Sequence, residues 1–124
     1  MNNANIIAEK TKRFAVRIIK FAKFLRQQGV DAVIVRQMLK SGTSIGANTR
    51  ESSNAQSKDD FIHKLSIALK EADETAYWLE LLVGAEEISS MQFESLYSDL
   101  KEIIALLTSI IKTCKGIWLF EYWE

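Results

Sequence analysis

The stretch that decides the fold is SGTSIGANTRESSNAQSKDDFIHKLSIALKEADETAYWLELL, residues 41–82. It begins with a run of small residues, passes a polar break at residues 52–57 and continues into the longest periodic segment of the chain. That segment predicts a helix over residues 58–83, because Ser57 can cap its first turn and small or apolar residues recur every three or four positions. The predicted buried seam of this helix is Phe61, Leu65, Ala68, Ala72, Thr75, Leu79 and Leu82.

The small residues before the break predict a tightly packed helix over residues 31–52, with Asp31 as its cap. Its inward positions shrink along the chain, in the order Val35, Met38, Gly42, Ile45 and Thr49. A glycine inside a helix costs about 1 kcal/mol relative to alanine, so Gly42 and Gly46 need a compensating contact. We expect the close approach of another helix to provide it; a kink in the helix and a contact with a ligand are the alternatives.

Two further helices are predicted on either side of this stretch. The first covers residues 6–28, where apolar residues or threonine stand at positions 7, 11, 14, 18, 21 and 25, and Gly29 supplies the left-handed position that ends it. The fourth covers residues 90–115 and begins with a capping box formed by Ser89 and Gln92. Its predicted seam is Phe93, Leu96, Leu100, Ile103, Leu107, Ile110 and Cys114.

Glycines also mark the predicted ends of the last two helices. Gly84 is expected to end the third helix and Gly116 the fourth. Residues 117–124, IWLFEYWE, are dense in large apolar side chains, and we expect this aromatic tail to pack on its own bundle or on a neighbour. Cys114 is expected to be a small residue of the core.

Four helices with narrow seams and short connections predict an all-α protein, an antiparallel up-down-up-down four-helix bundle that forms one domain over residues 1–124. Composition agrees, because the chain has no proline and only 5 glycines to interrupt long helices. The single cysteine excludes an internal disulfide and favours a reducing compartment. No apolar run approaches the roughly 18–20 residues of a membrane span, and the N-terminus lacks the layout of a secretory signal, so we expect a cytoplasmic protein without a membrane partner.

The net charge is zero, but the charges are unevenly distributed along the chain. Residues 1–50 carry ten Lys or Arg against two Asp or Glu, whereas residues 51–124 carry six Lys or Arg against fourteen Asp or Glu. This division predicts one of two arrangements. Either the two halves attract each other, within or between protomers, or the basic half faces an anionic partner.

The basic residues of the first helix recur with the spacing of one helix face. A solvated or salt-bridged face is one interpretation, and a strip that binds anions or faces another subunit is the other. With cations of the second helix they could form a surface for the phosphates of a nucleic acid. This basic strip consists of Lys10, Arg13, Arg17, Lys20, Arg36, Lys40 and Arg50. Val16 and Ile19 add apolar surface outside the seam, which favours helix contacts beyond one bundle.

No group of residues predicts catalysis. His63 is the only histidine and lies off the predicted seam, so it cannot be paired with a second histidine to build a zinc site. The serines lack a buried activating base, and the glycines of SGTSIGA have the wrong spacing for a phosphate-binding loop. We therefore expect a protein that is not an enzyme and that holds no metal or cofactor.

The chain also resembles a known family, the four helix bundle proteins or 23S rRNA intervening-sequence proteins, over about residues 10–113. The first matching segment is similar to S-I-x-A-N followed by an acidic residue, and consists of Ser44, Ile45, Ala47, Asn48 and Glu51. The second resembles a Ser-Lys-x-x-F-I helix start, in Ser57, Lys58, Phe61 and Ile62. The third resembles L-x-I-A-L-x-E-x-x-E, in Leu65, Ile67, Ala68, Leu69, Glu71 and Glu74.

The resemblance implies a scaffold protein that assembles into a ring, most often a homopentamer, with no firmly established biochemical activity. The accessory protein of diversity-generating retroelements looks similar at a greater distance, which implies nucleic acid as an alternative partner. For Asn48 and Glu51 we expect contacts with backbone or with a neighbouring helix near the junction of helices 2 and 3, rather than with a ligand.

Overall fold

The computed structural model describes the backbone of residues 3–123 and the side chains of residues 5–116. It contains four α-helices, α1 (Asn3–Gln27), α2 (Ala32–Ser52), α3 (Lys58–Gly84) and α4 (Ser90–Trp123). No β-strand occurs over residues 3–123. The prediction of an all-α chain with four helices is confirmed.

The four helices occupy the corners of a square. α2 packs on α1 and α3, and α4 packs on α3 and closes the bundle by packing on α1. Over the described part of the chain, α1 does not contact α3 and α2 does not contact α4. α1 and α3 therefore lie at opposite corners, and the sides that they turn away from the core point in opposite directions.

Most of the core comes from the seams that the sequence predicts, although Phe21, Phe61 and Phe93 of those seams are only partly buried. The largest fully buried side chains come from all four helices: Ile7, Phe14, Ile18, Leu25, Met38, Ile45, Leu65, Leu79, Leu82, Leu100, Ile103 and Leu107. The fourth seam departs from the prediction at its end, where Ile111 rather than Ile110 is buried and Cys114 is only half-buried. Ile110 instead lines a groove together with Asn5 of α1 and Phe61 of α3.

The helix starts follow the predicted capping chemistry. Asp31 Oδ1 accepts a hydrogen bond from the Val33 N–H at 2.8 Å, and Ser57 Oγ accepts one from the Asp60 N–H at 3.0 Å. At the start of α4 the bonds are reciprocal: Ser89 N–H donates to Gln92 Oε1 at 2.9 Å, and Gln92 N–H donates to Ser89 Oγ at 3.1 Å. Each bond satisfies a backbone donor that the helix itself leaves unpaired.

The end of α3 is predicted to within one residue but not the residue that terminates it, and the predicted end of α4 is wrong. Gly84 lies within α3, and Glu86, with φ of 61°, takes the left-handed position after the helix. Gly116 does not end α4, which continues to Trp123. A helix ends where a left-handed residue and its capping bonds are formed, and Gly29, with φ of 79°, is the glycine of the described residues that adopts this conformation. Where the aromatic side chains of residues 117–124 pack lies outside the described side chains.

The two glycines of α2 lie where α1 comes closest. A Cβ atom added at Gly42 would stand 2.9 Å from Cγ2 of the buried Ile18, and one added at Gly46 would stand 3.3 Å from the backbone oxygen of Thr11. These distances are shorter than ordinary van der Waals contact, so only glycine allows this packing without a shift of α1. The predicted close approach of another helix is confirmed.

Substitution of Gly42 tests how far the bundle depends on this contact. We expect Gly42→Ala to lower the free energy of unfolding by about 1–2 kcal/mol, because the overpacking against Ile18 exceeds the gain in helix propensity. Thermal or denaturant unfolding measures the change.

Gly84→Ala is the matched control, because an added Cβ meets no atom within 4 Å there. This control should be neutral or stabilising by less than about 1 kcal/mol. In an Ile18→Ala background the cost of Gly42→Ala should become smaller. An equal gain in stability from both single substitutions would contradict close packing at Gly42.

Candidate interaction surfaces

Two cations of the basic strip contact α4 within the same protomer. Lys10 Nζ lies 3.1 Å from Glu102 Oε2, and Arg17 Nη1 lies 2.6 Å from Asp99 Oδ2. Arg17 also donates to the backbone oxygen of Ser95 at 3.2 Å and to its Oγ at 2.7 Å. The charge attraction predicted between the two halves of the chain therefore operates within the bundle at the α1–α4 contact.

The remaining cations of the basic strip are exposed to solvent, on α1 and on α2. Arg13 and Lys20 are exposed and make no ion pair or hydrogen bond among the side chains of residues 5–116. Arg36, Lys40 and Arg50 are exposed on α2, and Lys40 lies close enough to α3 to influence Glu71 there. The strip is thus divided between cations that already meet carboxylates and cations that face solvent.

A groove between α1 and α4 runs along the basic strip. It encloses about 470 Å³ and is lined by Lys10, Arg13 and Arg17 together with Glu9, Asp99 and Glu102. Carboxylates would repel the same phosphates that the cations attract. The mixed lining makes this groove a poorer phosphate site than the sequence of α1 by itself suggests.

The side of α1 that faces away from the core combines apolar and basic residues. Val16 and Ile19 are 45% and 54% exposed and lie three residues apart on one helix face, so together they form a small apolar patch. We call this surface the α1 outer face; its exposed residues are Glu9, Lys12, Arg13, Val16, Ile19, Lys20 and Lys23. It carries four cations against one carboxylate.

The corresponding side of α3 combines apolar and acidic residues. Tyr77 and Leu81 are 53% and 39% exposed. We call this surface the α3 outer face; its exposed residues are Lys70, Asp73, Glu74, Tyr77, Glu80 and Leu81. Tyr97 OH donates to Glu80 Oε2 at 3.0 Å, and this bond raises the pKa of Tyr97. The two outer faces carry opposite charge, and both have apolar centres.

Glu71 lies at the edge of the α3 outer face, on the side of α2. Partial burial raises the pKa of Glu71, and the nearby Glu74 raises it further, whereas Lys40 and Lys70 act in the opposite direction. A raised pKa means that the ionised form is less favourable in the folded protein than in the unfolded chain. Glu71 therefore reduces stability once it is ionised.

The residues of the family-like segment on α2 have structural partners. Ile45 is buried in the core, Ser44 Oγ donates to the Lys40 backbone oxygen at 2.6 Å, and Asn48 Nδ2 donates to the Ser44 backbone oxygen at 2.8 Å. Glu51 Oε1 lies 3.8 Å from Lys64 Nζ on α3. These contacts agree with the expectation of backbone and interhelix partners for Asn48 and Glu51. Ala47 is exposed.

One buried polar contact was missed by the sequence analysis. Ser41 and Thr75 are both buried, and Thr75 Oγ1 lies 2.9 Å from Ser41 Oγ, which links α2 to α3 inside the core. Ser41 Oγ also donates to the backbone oxygen of Met38 at 3.2 Å. Thr75 Oγ1 lies 2.8 Å from the backbone oxygen of Glu71. Thr75 was assigned to the seam, but nothing in the periodic pattern pointed to Ser41 as its partner.

The described residues show neither a cluster of metal ligands nor a helix that could span a membrane. No group of three or more His, Cys, Asp or Glu side chains among them is placed to hold a metal ion. None of the helices, as far as their residues are described, combines the length and the apolar character that crossing a membrane requires.

Comparison with known proteins gives a family and a solved relative. Residues 3–109 match the family described as 23S rRNA-intervening sequence protein. A crystal structure from Bacteroides thetaiotaomicron VPI-5482, described as a protein with unknown function from the S23 ribosomal protein family, is 53% identical in sequence, with a TM-score of 0.86. The match covers 90% of this chain and 99% of that one. Comparison with curated proteins gave no match.

Substitution of Arg17, which pairs with Asp99, and of Lys20, which is exposed, tests which cations of the basic strip stabilise the fold. Arg17→Glu places a carboxylate beside Asp99, so we expect the free energy of unfolding to fall by about 1 kcal/mol. Lys20→Glu, the control on the same helix, should change it by less than about 0.5 kcal/mol. Denaturant unfolding at low and high salt measures the free energy of unfolding of both variants. Added salt should reduce the difference between their two effects. Equal effects of the two substitutions would contradict the assignment.

The raised pKa of Glu71 predicts a pH-dependent effect of Glu71→Gln. A raised pKa in the folded state favours folding while the carboxyl is protonated, and this advantage is lost as the pH rises through the folded-state pKa. Glu71→Gln should therefore raise the free energy of unfolding at about pH 7 and have little effect below about pH 4, where glutamate is protonated in both states. Unfolding curves of Glu71→Gln between about pH 4 and pH 7 test this expectation, and Glu87→Gln is the control at an exposed position. A stabilisation that grows as the pH falls would contradict the stated cause.

Proposed function

This chain belongs to the 23S rRNA-intervening sequence protein family, and we propose that it is a non-enzymatic scaffold protein that assembles with copies of itself into a closed ring. The observation that carries the proposal is the pair of outer faces on α1 and α3. They lie at opposite corners of the bundle, expose apolar side chains at their centres and carry opposite charge. The α1 outer face of one copy can thus pack on the α3 outer face of the next.

The chemistry of the faces supports a head-to-tail contact over a symmetric one. Two copies that joined through the same face would bring Lys12 and Lys23, or Asp73 and Glu74, against like charges. Joining unlike faces brings the cations to the carboxylates and covers Val16 and Ile19 at the same time. A contact between two different surfaces generates a ring when its rotation closes.

Apolar burial and charge pairing have different parts in this contact. The exposed aliphatic and aromatic side chains supply most of the stabilisation, because burial of apolar surface favours association while solvated charges contribute little net energy. The charges select which face meets which. The resemblance to the four helix bundle proteins leads us to propose five copies.

The proposal takes the helices to run in an antiparallel up-down-up-down order. Two sets of contacts support that order for α2 and α4 relative to α1. Gly42 and Gly46 approach Ile18 and Thr11 respectively. Along α1 and α4, Lys10 pairs with Glu102 and Arg17 with Asp99. In all of these pairs the residue number rises on one helix as it falls on its neighbour. We further propose a cytoplasmic location, since the single cysteine suits a reducing compartment.

Nucleic-acid binding is the second candidate function. Arg13 and Lys20 favour it, because they are exposed on one face and have no carboxylate partner among the described side chains. Asp99 and Glu102 oppose it, because they line the same groove. Binding of this kind should weaken steeply as salt is added, and a lack of any retention of RNA or DNA at about 50 mM salt would remove this candidate.

Mixing two variants tests the head-to-tail contact. In one variant Val16→Asn and Ile19→Asn make the α1 outer face polar; in the other Tyr77→Asn and Leu81→Asn do the same to the α3 outer face. Each variant keeps one intact face, so each should be a monomer of 14.1 kDa by light scattering. An equimolar mixture can form one intact contact and should give a dimer of about twice that mass.

Circular dichroism is the control for folding, because all four positions are exposed and their substitution should leave the helix content unchanged. A contact between identical faces predicts a different result, since one variant by itself would still dimerise. That outcome, or a mixture that stays monomeric, would contradict the proposed contact.

A further inference from the structure

All four helices contribute to a second groove, at the end of the bundle where α1 begins. This end groove encloses about 660 Å³, within the range of about 300–1,000 Å³ that is typical of binding pockets. Its lining includes the buried Ile7 and Leu65 and the partly buried Phe61. The groove therefore offers an apolar floor at one end of the core.

The rim of the end groove is basic and contains small residues. Ala47 of the family-like segment lines it and is exposed, as are Lys12 and Arg50. Glu51 also lines it, but its carboxylate lies near Lys64. The groove thus suits an occupant with large apolar side chains and some negative charge.

Residues 117–124 of this chain have that composition. The sequence IWLFEYWE contains six large apolar or aromatic residues and two glutamates. The segment follows Ile110, which lines the end groove, on the same continuous helix. α4 runs on from Ile111 to Trp123, about 20 Å at 1.5 Å per residue, so the unbroken helix carries the segment past the groove of its own chain.

We infer that the end groove of one protomer binds residues 117–124 of a second copy. Apolar side chains of the segment cover the partly buried Phe61 and Ile110, and its glutamates lie near Arg50. The inference rests on the proposed self-assembly and adds a second contact between copies, distinct from the outer faces of α1 and α3.

Peptide binding to a truncated chain tests the groove. A chain that ends at Gly116 is titrated into a fluorescently labelled peptide of residues 111–124, and anisotropy should show saturable binding of one peptide per chain. Ala47→Trp fills the groove and should weaken binding by about tenfold or more. Val33→Trp is the matched control on the same helix, because Val33 is 56% exposed and lies outside the groove, and it should leave binding unchanged.

Tryptophan emission distinguishes docking between copies from docking within one chain. In a Trp78→Phe background, Trp118 and Trp123 are the remaining tryptophans. Val16→Asn and Ile19→Asn remove the outer-face contact, and dilution until light scattering gives the mass of one copy removes the contact at the end groove. The emission should then shift to the red as the segment becomes solvated. Emission that stays unchanged on separation would overturn the inference, because the segment would then be covered by its own chain.

The outcomes for the two proposals can be told apart. A full-length chain that is multimeric but whose peptide does not bind, or binds equally well after Ala47→Trp, overturns this inference and leaves the ring in place. A full-length chain that is monomeric overturns the proposed function and this inference with it.

Discussion

The close approach of α1 and α2 is the constraint on which the rest of the bundle depends. A Cβ atom at Gly42 would stand 2.9 Å from Ile18 and one at Gly46 would stand 3.3 Å from the backbone of Thr11, so the two glycines let α2 lie this close to α1. That packing sets which side of α1 is left to meet α4, and Lys10 and Arg17 then reach carboxylates there. The same packing turns Val16 and Ile19 outward. A requirement for small residues in one helix thereby determines the exposed surface of another.

A helix as polar as α2 can pack this closely because its side chains satisfy themselves locally. Ser44, Thr49 and Asn48 each donate to a backbone oxygen four residues earlier, at 2.6–2.8 Å. Such bonds remove the cost of burying a hydroxyl or amide without a partner. Between helices, Ser41 and Thr75 form a buried polar contact that links α2 to α3. The main role of the family-like segment is thus to pack α2 against its neighbours.

The sequence predicted the features that depend on neighbouring residues and missed those that depend on distant ones. The seam of α3 and the capping box of Ser89 and Gln92 follow from local spacing, and both were found. The residue that terminates α3 and the end of α4 were predicted wrongly, because a glycine permits a left-handed conformation but does not require it. The carboxylates that meet Lys10 and Arg17 lie more than eighty residues away in the chain. No periodic pattern could identify these partners, so the basic strip looked more available than it is.

The square arrangement of the helices determines which faces are available for contacts with other copies. Opposite corners carry apolar faces of opposite charge, and we propose that these faces meet head-to-tail between copies. Light scattering of the unmodified chain over a wide range of concentrations tests this account most directly. The account predicts one defined mass, greater than two copies of 14.1 kDa, that stays constant as the concentration rises. A mass of 14.1 kDa at micromolar concentration, or one that keeps growing with concentration, would contradict it.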